Sequence, residues 1–168
     1  MNNFLRISSR FLILILIQVL MLNNIHFLGY LNPYAYIIFI LLLPFETPRA
    51  VLLISAFALG LSVDVFSNSL GIHAAACVFA AYFRPGVMRL ITSRKEYEPG
   101  VEPSIVDLGF QWFFMYALII TSLHHFMLFL LEVFRFSNFF TTLGHSFENT
   151  LFTVLVIILS QYIFYRKK

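Results

Sequence analysis

The sequence predicts an all-α fold, a polytopic membrane bundle of about six transmembrane helices, from its composition and the spacing of its apolar runs. Of the 168 residues, 60% are hydrophobic and 11% are charged, and the mean hydropathy is +0.87. Soluble domains have roughly a quarter of their residues charged, because charge covers a water-facing surface. This chain has too little charge for such a surface, so lipid is expected to surround it. Its length suits one membrane domain.

A helix needs roughly 20 mostly apolar residues to cross a bilayer, and by this criterion six apolar runs are assigned as spans. The predicted spans are residues 7–27, 33–45, 49–66, 70–89, 108–134 and 147–165. Within the first span, the apolar stretch from Phe11 to Leu22 follows Arg6 and Arg10, as in a signal peptide. The Met21-Leu22-Asn23-Asn24 stretch after it has no pair of small residues for a peptidase, so the run is expected to stay as the first helix.

The second run, between Pro33 and Pro44, is either a span or a re-entrant segment, because proline favours a helix start or a break. Basic residues favour the cytoplasmic side of a membrane, and this bias decides between the two. With six spans and the N-terminus inside, only Arg135 of the 11 basic residues lies outside. The predicted cytoplasmic set is Arg6, Arg10, Arg49, Arg84, Arg89, Arg94, Lys95, Arg166, Lys167 and Lys168. A re-entrant second run would leave inside only Arg6, Arg10 and Arg135, so six spans with both termini cytoplasmic are predicted.

Residues 92–107 form the one sizeable polar stretch and are predicted to be a cytoplasmic loop. The core of this stretch, residues 94–100, mixes charges of both signs with turn formers. It either connects two spans or presents a docking surface to a cytoplasmic partner.

The net charge of +3 comes from basic residues at segment ends, where such residues typically anchor a helix to membrane lipid. No binding of nucleic acid is expected.

Asp64 lies within the third span, where a carboxylate near the helix centre costs on the order of 3 kcal/mol on insertion scales. It shares one helical face with Ala56, Gly60 and Ser67, and small residues on a face let two helices approach closely. This face is therefore predicted to pack against another helix.

The fourth span is rich in alanine and follows a tight turn at Asn68-Ser69, so the third and fourth spans are predicted to form a closely packed hairpin. His73, one turn into the fourth span, is the predicted partner of Asp64. The candidate polar site comprises Gly60, Asp64, Ser67, Gly71 and His73. Two interpretations stay open for it, a contact with a partner protein and a structural hydrogen bond near the membrane surface.

The fifth span carries a sparse polar stripe, Gln111, Ser122, His125 and Glu132, with Arg135 placed to pair with Glu132. His124 and His125 invite a metal interpretation, but adjacent residues on a helix point apart and no cysteine lies near. Packed or interfacial histidines are favoured, and no metal site is predicted.

The sequence contains none of the common catalytic or cofactor-binding motifs. There is no Walker loop, dinucleotide fingerprint, GxSxG or HExxH. An Asp–His pair alone lacks a nucleophile with an orienting third group. The single cysteine, Cys77, excludes an internal disulfide. We therefore expect no enzyme, no catalytic residue and no cofactor.

The segment Gly60–Ala74, GLSVDVFSNSLGIHA, followed by Ala80-Ala81-Tyr82, resembles the signature of the rod-shape-determining protein MreD family. That family shows a G-x-x-x-D stretch, a small polar turn, then L-G and a helix of small residues. The places of that pattern are taken here by Gly60, Asp64, Leu70, Gly71 and His73. The short second run and the basic loop and tail also fit the family.

The resemblance implies a non-enzymatic component of the cell-elongation (rod) complex in the bacterial cytoplasmic (inner) membrane. Such a component helps position peptidoglycan synthesis and maintain cell shape. The partners it implies are an MreC-like scaffold, an MreB-like filament, and RodA with its transpeptidase. The fold it implies is similar to that of the substrate-binding subunits of energy-coupling-factor transporters.

That similarity of fold supplies an alternative, a small-molecule (vitamin-like) binding subunit of such a transporter. The alanines between Ala74 and Ala81 favour it, as a surface for a coupling subunit, whereas the predicted outer loops 23–32 and 137–145 are short for a lidded site. A lipid-modifying enzyme would need convergent acid, base or metal groups, which the sequence does not indicate.

Overall fold

The computed structural model describes residues 3–24, 32–92, 101–133 and 139–164, and within these ranges the chain is helical, without a strand. The helices there are α1 (Asn3–Leu20), α2 (Ile38–Leu41), α3 (Arg49–Ser67), α4 (Ile72–Ile91), α5 (Ile105–Leu108), α6 (Phe110–Val133) and α7 (Phe139–Phe164). In this part of the chain α1, α3, α4, α6 and α7 are long and apolar enough to cross a membrane. They indicate a helical membrane protein, as the composition predicts.

Four long helices begin at positions that differ from the predicted spans. α1 begins at Asn3 rather than residue 7, and α4 begins at Ile72 rather than residue 70. α6 begins at Phe110 rather than residue 108, because Gly109 has a φ of 83° and separates it from the one-turn helix α5. α7 begins at Phe139 rather than residue 147. Its first two turns contain several polar residues, which lower hydropathy but do not prevent helix formation.

Several predictions fall on residues outside the described ranges. They include the pairing of Glu132 with Arg135, the basic residues Arg94 and Lys95 with the core of the 92–107 loop, and the basic tail. Parts of both predicted outer loops, residues 25–31 and 134–138, also lie outside them.

The second predicted span contains only a short helix. A 3₁₀ turn at Ala35–Ile37 leads into α2, and the two together are here called the short helix. Four α-helical residues rise about 6 Å, far less than the roughly 30 Å hydrocarbon core. Pro33 and Pro44 limit it, as their positions in the sequence suggest.

Residues 35–43 are nonetheless all buried, so the short helix lies inside the bundle. One apolar cluster packs it against α4, α6 and α7, and a second packs it against α1, α3 and α4. Irregular backbone at membrane depth is tolerated where protein surrounds it. The long helices provide that surrounding, and they bring polar side chains to both ends of the short helix.

Candidate functional site

The carboxylate of Asp64 caps the N-terminus of α4. Asp64 is 2% exposed. Its Oδ1 accepts hydrogen bonds from the Ser69 hydroxyl at 2.6 Å and the His73 backbone N–H at 3.0 Å, and its Oδ2 accepts from the Ala74 N–H at 2.9 Å. The first N–H groups of a helix have no partner within the helix. Gly71, at the N-cap position, has no side chain to bond them, so a residue of the preceding helix does so.

The turn between α3 and α4 depends on two residues in the left-handed backbone conformation. Asn68 has a φ of 55° and Gly71 a φ of 86°. Asn and Gly are the residues that adopt this conformation at little cost. The Ser69 N–H donates to the Asp64 carbonyl at 3.1 Å and so closes the end of α3. Asp64 therefore contributes its backbone to one helix end and its side chain to the next.

Gly60 lies where α3 and α4 cross at backbone distance. A Cβ atom at this position would lie 2.5 Å from the His73 carbonyl oxygen and 2.6 Å from the Ala74 nitrogen. Both neighbours are backbone atoms, which cannot rotate away. Glycine at this crossing thus brings the start of α4 within reach of Asp64, one turn further along α3.

The other two predicted site residues differ in their surroundings. The His73 Nδ1 atom lies 3.4 Å from Asp64 Oδ1, and the His73 ring packs edge-on against Tyr34 with 5.7 Å between centroids. Ser67 is exposed and does not contact the carboxylate. Its hydroxyl accepts a hydrogen bond from the Asn23 side chain at 2.9 Å, which ties the end of α1 to the hairpin.

The tip of the hairpin presents apolar side chains outward. Leu70 is 99% exposed, and Val65 and Phe66 are largely exposed. Asp64 is enclosed beneath them. A protein that docks on the hairpin would therefore meet this apolar tip rather than the carboxylate.

A second polar cluster bonds the C-terminal carbonyl groups of the short helix. The Tyr116 hydroxyl donates to the Leu41 carbonyl at 3.1 Å and accepts from Arg84 Nε at 2.7 Å. Arg84 Nη2 donates to the Leu43 carbonyl. Arg84 is 2% exposed, so its charge lies inside the bundle, next to the negative end of a helix dipole.

Arg10 of α1 belongs to the same cluster, because its Nη1 donates to the Leu42 carbonyl at 2.9 Å. The three side chains together cap the C-terminal end of the short helix. The positive-inside bias counts Arg10 and Arg84 only as cytoplasmic charges and says nothing of this role. The sequence does contain one indication of a buried role for Arg84, since this residue lies five positions inside Arg89 in an apolar helix. A charge within a span needs a partner.

The other end of the short helix is held by Gln18 of α1. The Gln18 Nε2 atom donates to the Pro33 carbonyl at 3.1 Å and to Asn23 Oδ1 at 2.9 Å, and its Oε1 accepts from the Tyr36 N–H at 3.4 Å. Gln18 is fully buried. Sequence reasoning missed this residue, because a single glutamine in an apolar run has no distinctive spacing.

His124 and His125 are both fully buried and bond to different elements. His124 Nε2 lies 2.9 Å from the Tyr36 hydroxyl. His125 Nδ1 donates to the Thr121 carbonyl at 2.8 Å, so its Nε2 is left to accept from the Thr153 hydroxyl at 3.3 Å. Nowhere in the described ranges do three His, Cys, Asp or Glu side chains converge as metal ligands do.

The residues of the polar stripe predicted on the fifth span differ in burial and in hydrogen bonding. Gln111 and Glu132 are exposed, His125 is buried, and the Ser122 hydroxyl donates to the Leu118 carbonyl of its own helix at 2.7 Å.

Together these clusters hold helix ends and helix crossings in place through hydrogen bonds and charge, so the role that their geometry supports is structural. Comparison of the chain with protein-family models, with curated proteins and with solved structures gives no match.

Proposed function

We propose that the chain is a non-enzymatic membrane component of the bacterial cell-elongation (rod) complex, which helps position peptidoglycan synthesis and maintain cell shape. The resemblance of residues 60–74 to the MreD family motivates this proposal. The observation that carries it is the hairpin, in which Gly60, Asp64 and Gly71 each have a distinct geometric role. These residues of the motif cooperate in one structure that holds an apolar tip outward.

The hairpin tip is the proposed contact surface for partners within or outside the membrane. Leu70 and Phe66 are exposed, while the Asp64 cap and two left-handed residues fix the turn. A rigid apolar projection suits docking of an MreC-like scaffold, or of RodA with its transpeptidase, because little conformational entropy is lost on binding. An MreB-like filament would meet the opposite, cytoplasmic face.

The proposed topology has six spans, both termini in the cytoplasm, and the bacterial inner membrane as its location. The contacts of the second run with α1 support it. Pro33 bonds Gln18, whereas Leu42 bonds Arg10, eight residues earlier in α1 and about 12 Å along it. The run therefore passes antiparallel to α1, as a chain does that returns through the bilayer. A fold like that of energy-coupling-factor binding subunits is part of this proposal.

The alternative, a vitamin-like binding subunit of a transporter, is favoured by one observation. The His124 Nδ1 and Thr121 Oγ1 atoms are buried and have no hydrogen-bond partner among the described residues. Two observations place it second. The surrounding Tyr36, His124 and His125 side chains are fully buried and bonded within the protein. Four alanines of α4, Ala74, Ala76, Ala80 and Ala81, are also buried, so they are not free to form a coupling surface.

The test is affinity purification of the C-terminally tagged chain from native membranes in mild detergent, followed by mass spectrometry. We expect an MreC-like protein, RodA or its transpeptidase to be recovered. Recovery of a transporter ATPase pair in their place would overturn the elongation role and support the binding subunit.

A pair of variants connects this result to the hairpin tip. Phe66→Ala with Leu70→Ala should reduce partner recovery, whereas Leu155→Ala with Leu159→Ala, equally apolar changes on the exposed face of α7, should not. Equal recovery with both variants would exclude the tip as the contact.

A further inference from the structure

A groove runs along the outer face of the α3–α4 pair. It consists of two adjoining cavities of about 770 Å³ and about 450 Å³, which share Leu53, Tyr82 and Phe83. The larger cavity is apolar, with Phe57 and Leu61 on one wall. The side chains on the α4 wall are Ala74, Ala75, Val78 and Phe79. The smaller cavity adjoins it toward the ends of the two helices that carry Arg49 and Arg89.

Arg49 and Arg89 face this smaller cavity from opposite helices. Both side chains are exposed, and the ion pairs within the described ranges involve other residues. Two guanidinium groups beside one cavity attract an anion, and the planar guanidinium matches the oxygens of a phosphate in particular. The groove thus combines a site for a phosphate at one end with an apolar channel at the other.

We propose that this groove binds one anionic phospholipid, with its phosphate between Arg49 and Arg89 and an acyl chain along the apolar wall of α3 and α4. The charge at one end and the apolar lining of the rest are complementary to such a lipid. With the orientation proposed above, the lipid belongs to the cytoplasmic leaflet. The binding itself does not depend on the elongation role.

The two walls of the groove differ in length. From Arg49 to Leu61 α3 rises about 18 Å, and from Gly71 to Arg89 α4 rises about 27 Å. A lipid reaches about 20–22 Å from its headgroup to the middle of the bilayer, half of the roughly 40–45 Å total thickness. A headgroup at the end of Arg49 and Arg89 and one acyl chain therefore extend along the whole α3 wall, while the α4 wall continues past the middle of the bilayer. The paired cations at one end distinguish this occupant from the apolar transmembrane helix of a partner protein.

Pro85 and Gly86 keep the phosphate end open. Pro85 lies inside α4 and lacks an N–H, so the carbonyl of Ala81 loses its usual helical donor beside the cavity. A Cβ atom at Gly86 would have no atom within 4 Å apart from its chain neighbours and the nearby backbone of α4 itself. A larger side chain at Gly86 therefore fits the fold while occupying the space of the lipid.

The test is native mass spectrometry of the delipidated full-length protein with added phosphatidylglycerol or phosphatidylcholine. We expect one phosphatidylglycerol to bind preferentially. Arg49→Gln with Arg89→Gln should weaken its binding by at least about tenfold, since each arginine contributes charged hydrogen bonds. Removing the same number of charges from the tail, with Lys167→Gln and Lys168→Gln, should leave binding unchanged.

A second pair of variants separates loss of the groove from loss of folding. Gly86→Leu should abolish binding of phosphatidylglycerol, whereas Gly144→Leu, also at an open helical position, should not. Protection of the buried Cys77 thiol from alkylation shows that each variant is folded.

Three outcomes would overturn the proposal. The first is equal binding of both lipids, and the second is unchanged phosphatidylglycerol binding in the arginine variant. The third is displacement of the lipid by millimolar inorganic phosphate, which would show an anion site that makes no use of the apolar channel.

Discussion

Asp64 Oδ2 lies 2.9 Å from the backbone nitrogen of Ala74, so the cap of α4 belongs to α3, ten residues earlier in the chain. This bond requires the two helices to cross at backbone distance, which Gly60 permits. The glycine and the aspartate therefore act as one unit, since the cap cannot form unless the crossing is close.

Replacing Asp64 should destabilise the protein in proportion to the acceptors that are lost. Asp64→Ala leaves two helix N–H groups and the Ser69 hydroxyl without an acceptor, at about 1–3 kcal/mol for a buried donor, so we expect a total loss of about 3 kcal/mol. Asp64→Asn keeps one oxygen and should lose about half of that. Alkylation of Cys77, the sole cysteine and a buried one, during heating in detergent measures the unfolding midpoint. An unchanged midpoint with reduced partner recovery would instead assign the carboxylate to partner binding.

Gly60→Ala and Gly86→Ala should have opposite effects, although both change a helical glycine. At Gly60 the new methyl group meets backbone atoms of α4, and separating the helices should cost about 1–3 kcal/mol, as overpacking does. At Gly86 the methyl group meets no atom of another helix, and the better helix propensity of alanine should stabilise the protein by up to about 1 kcal/mol. The same thermal midpoint compares the two. A tolerated Gly60→Ala would mean that the crossing is wider than described.

Arg84 and Tyr116 should show strong coupling, because they bond each other and adjacent carbonyl groups of the short helix. We expect Arg84→Met and Tyr116→Phe each to cost about 1–3 kcal/mol. The double variant should cost less than their sum, with a coupling energy of about 0.5–3 kcal/mol. Tyr82→Phe, which removes an exposed hydroxyl, serves as the control and should change stability by less than about 0.5 kcal/mol. Strict additivity would argue against the shared cap.

The course of the second run can be tested with single cysteines in a Cys77→Ala background. Asn24→Cys and Glu46→Cys place exposed thiols on either side of that run. With six spans, an impermeant maleimide should label residue 24 in intact cells and residue 46 only after permeabilisation. Labelling of both positions from the same side would show that the run turns back within the membrane.

The sequence is sufficient for the membrane class and for the long helices, because apolar runs of the required length are a local property. The short helix is different. Pro33 and Pro44 mark its limits, but its burial depends on contacts with α1, α4 and α6 that no local pattern contains. Arg84 illustrates the difference, since a rule that counts charges assigns it a side of the membrane but not a hydrogen-bond partner.

In the candidate site too, some contacts can be predicted from local sequence and others depend on the tertiary fold. Gly60, Asp64 and His73 are recognisable because they lie within one hairpin, where helical spacing determines which side chains meet. Periodicity also places Ser67 on that face, but the helix ends there and Ser67 bonds Asn23 instead. The pairing of Tyr36 with His124 joins residues 88 positions apart, so it follows only from the tertiary fold.

The cap of the short helix has a consequence for the order of synthesis. Tyr116 is made 75 residues after Leu41, and Arg84 is made 41 residues after Leu43. At about 5–20 residues per second, the short helix leaves the ribosome roughly 4–15 seconds before the tyrosine that bonds it. Arg10 is already present in the chain to bond the Leu42 carbonyl, whereas Arg84 and Tyr116 follow one after the other. The cap of the short helix is therefore completed in steps, and its last hydrogen bond forms only after residue 116 of α6 has been made.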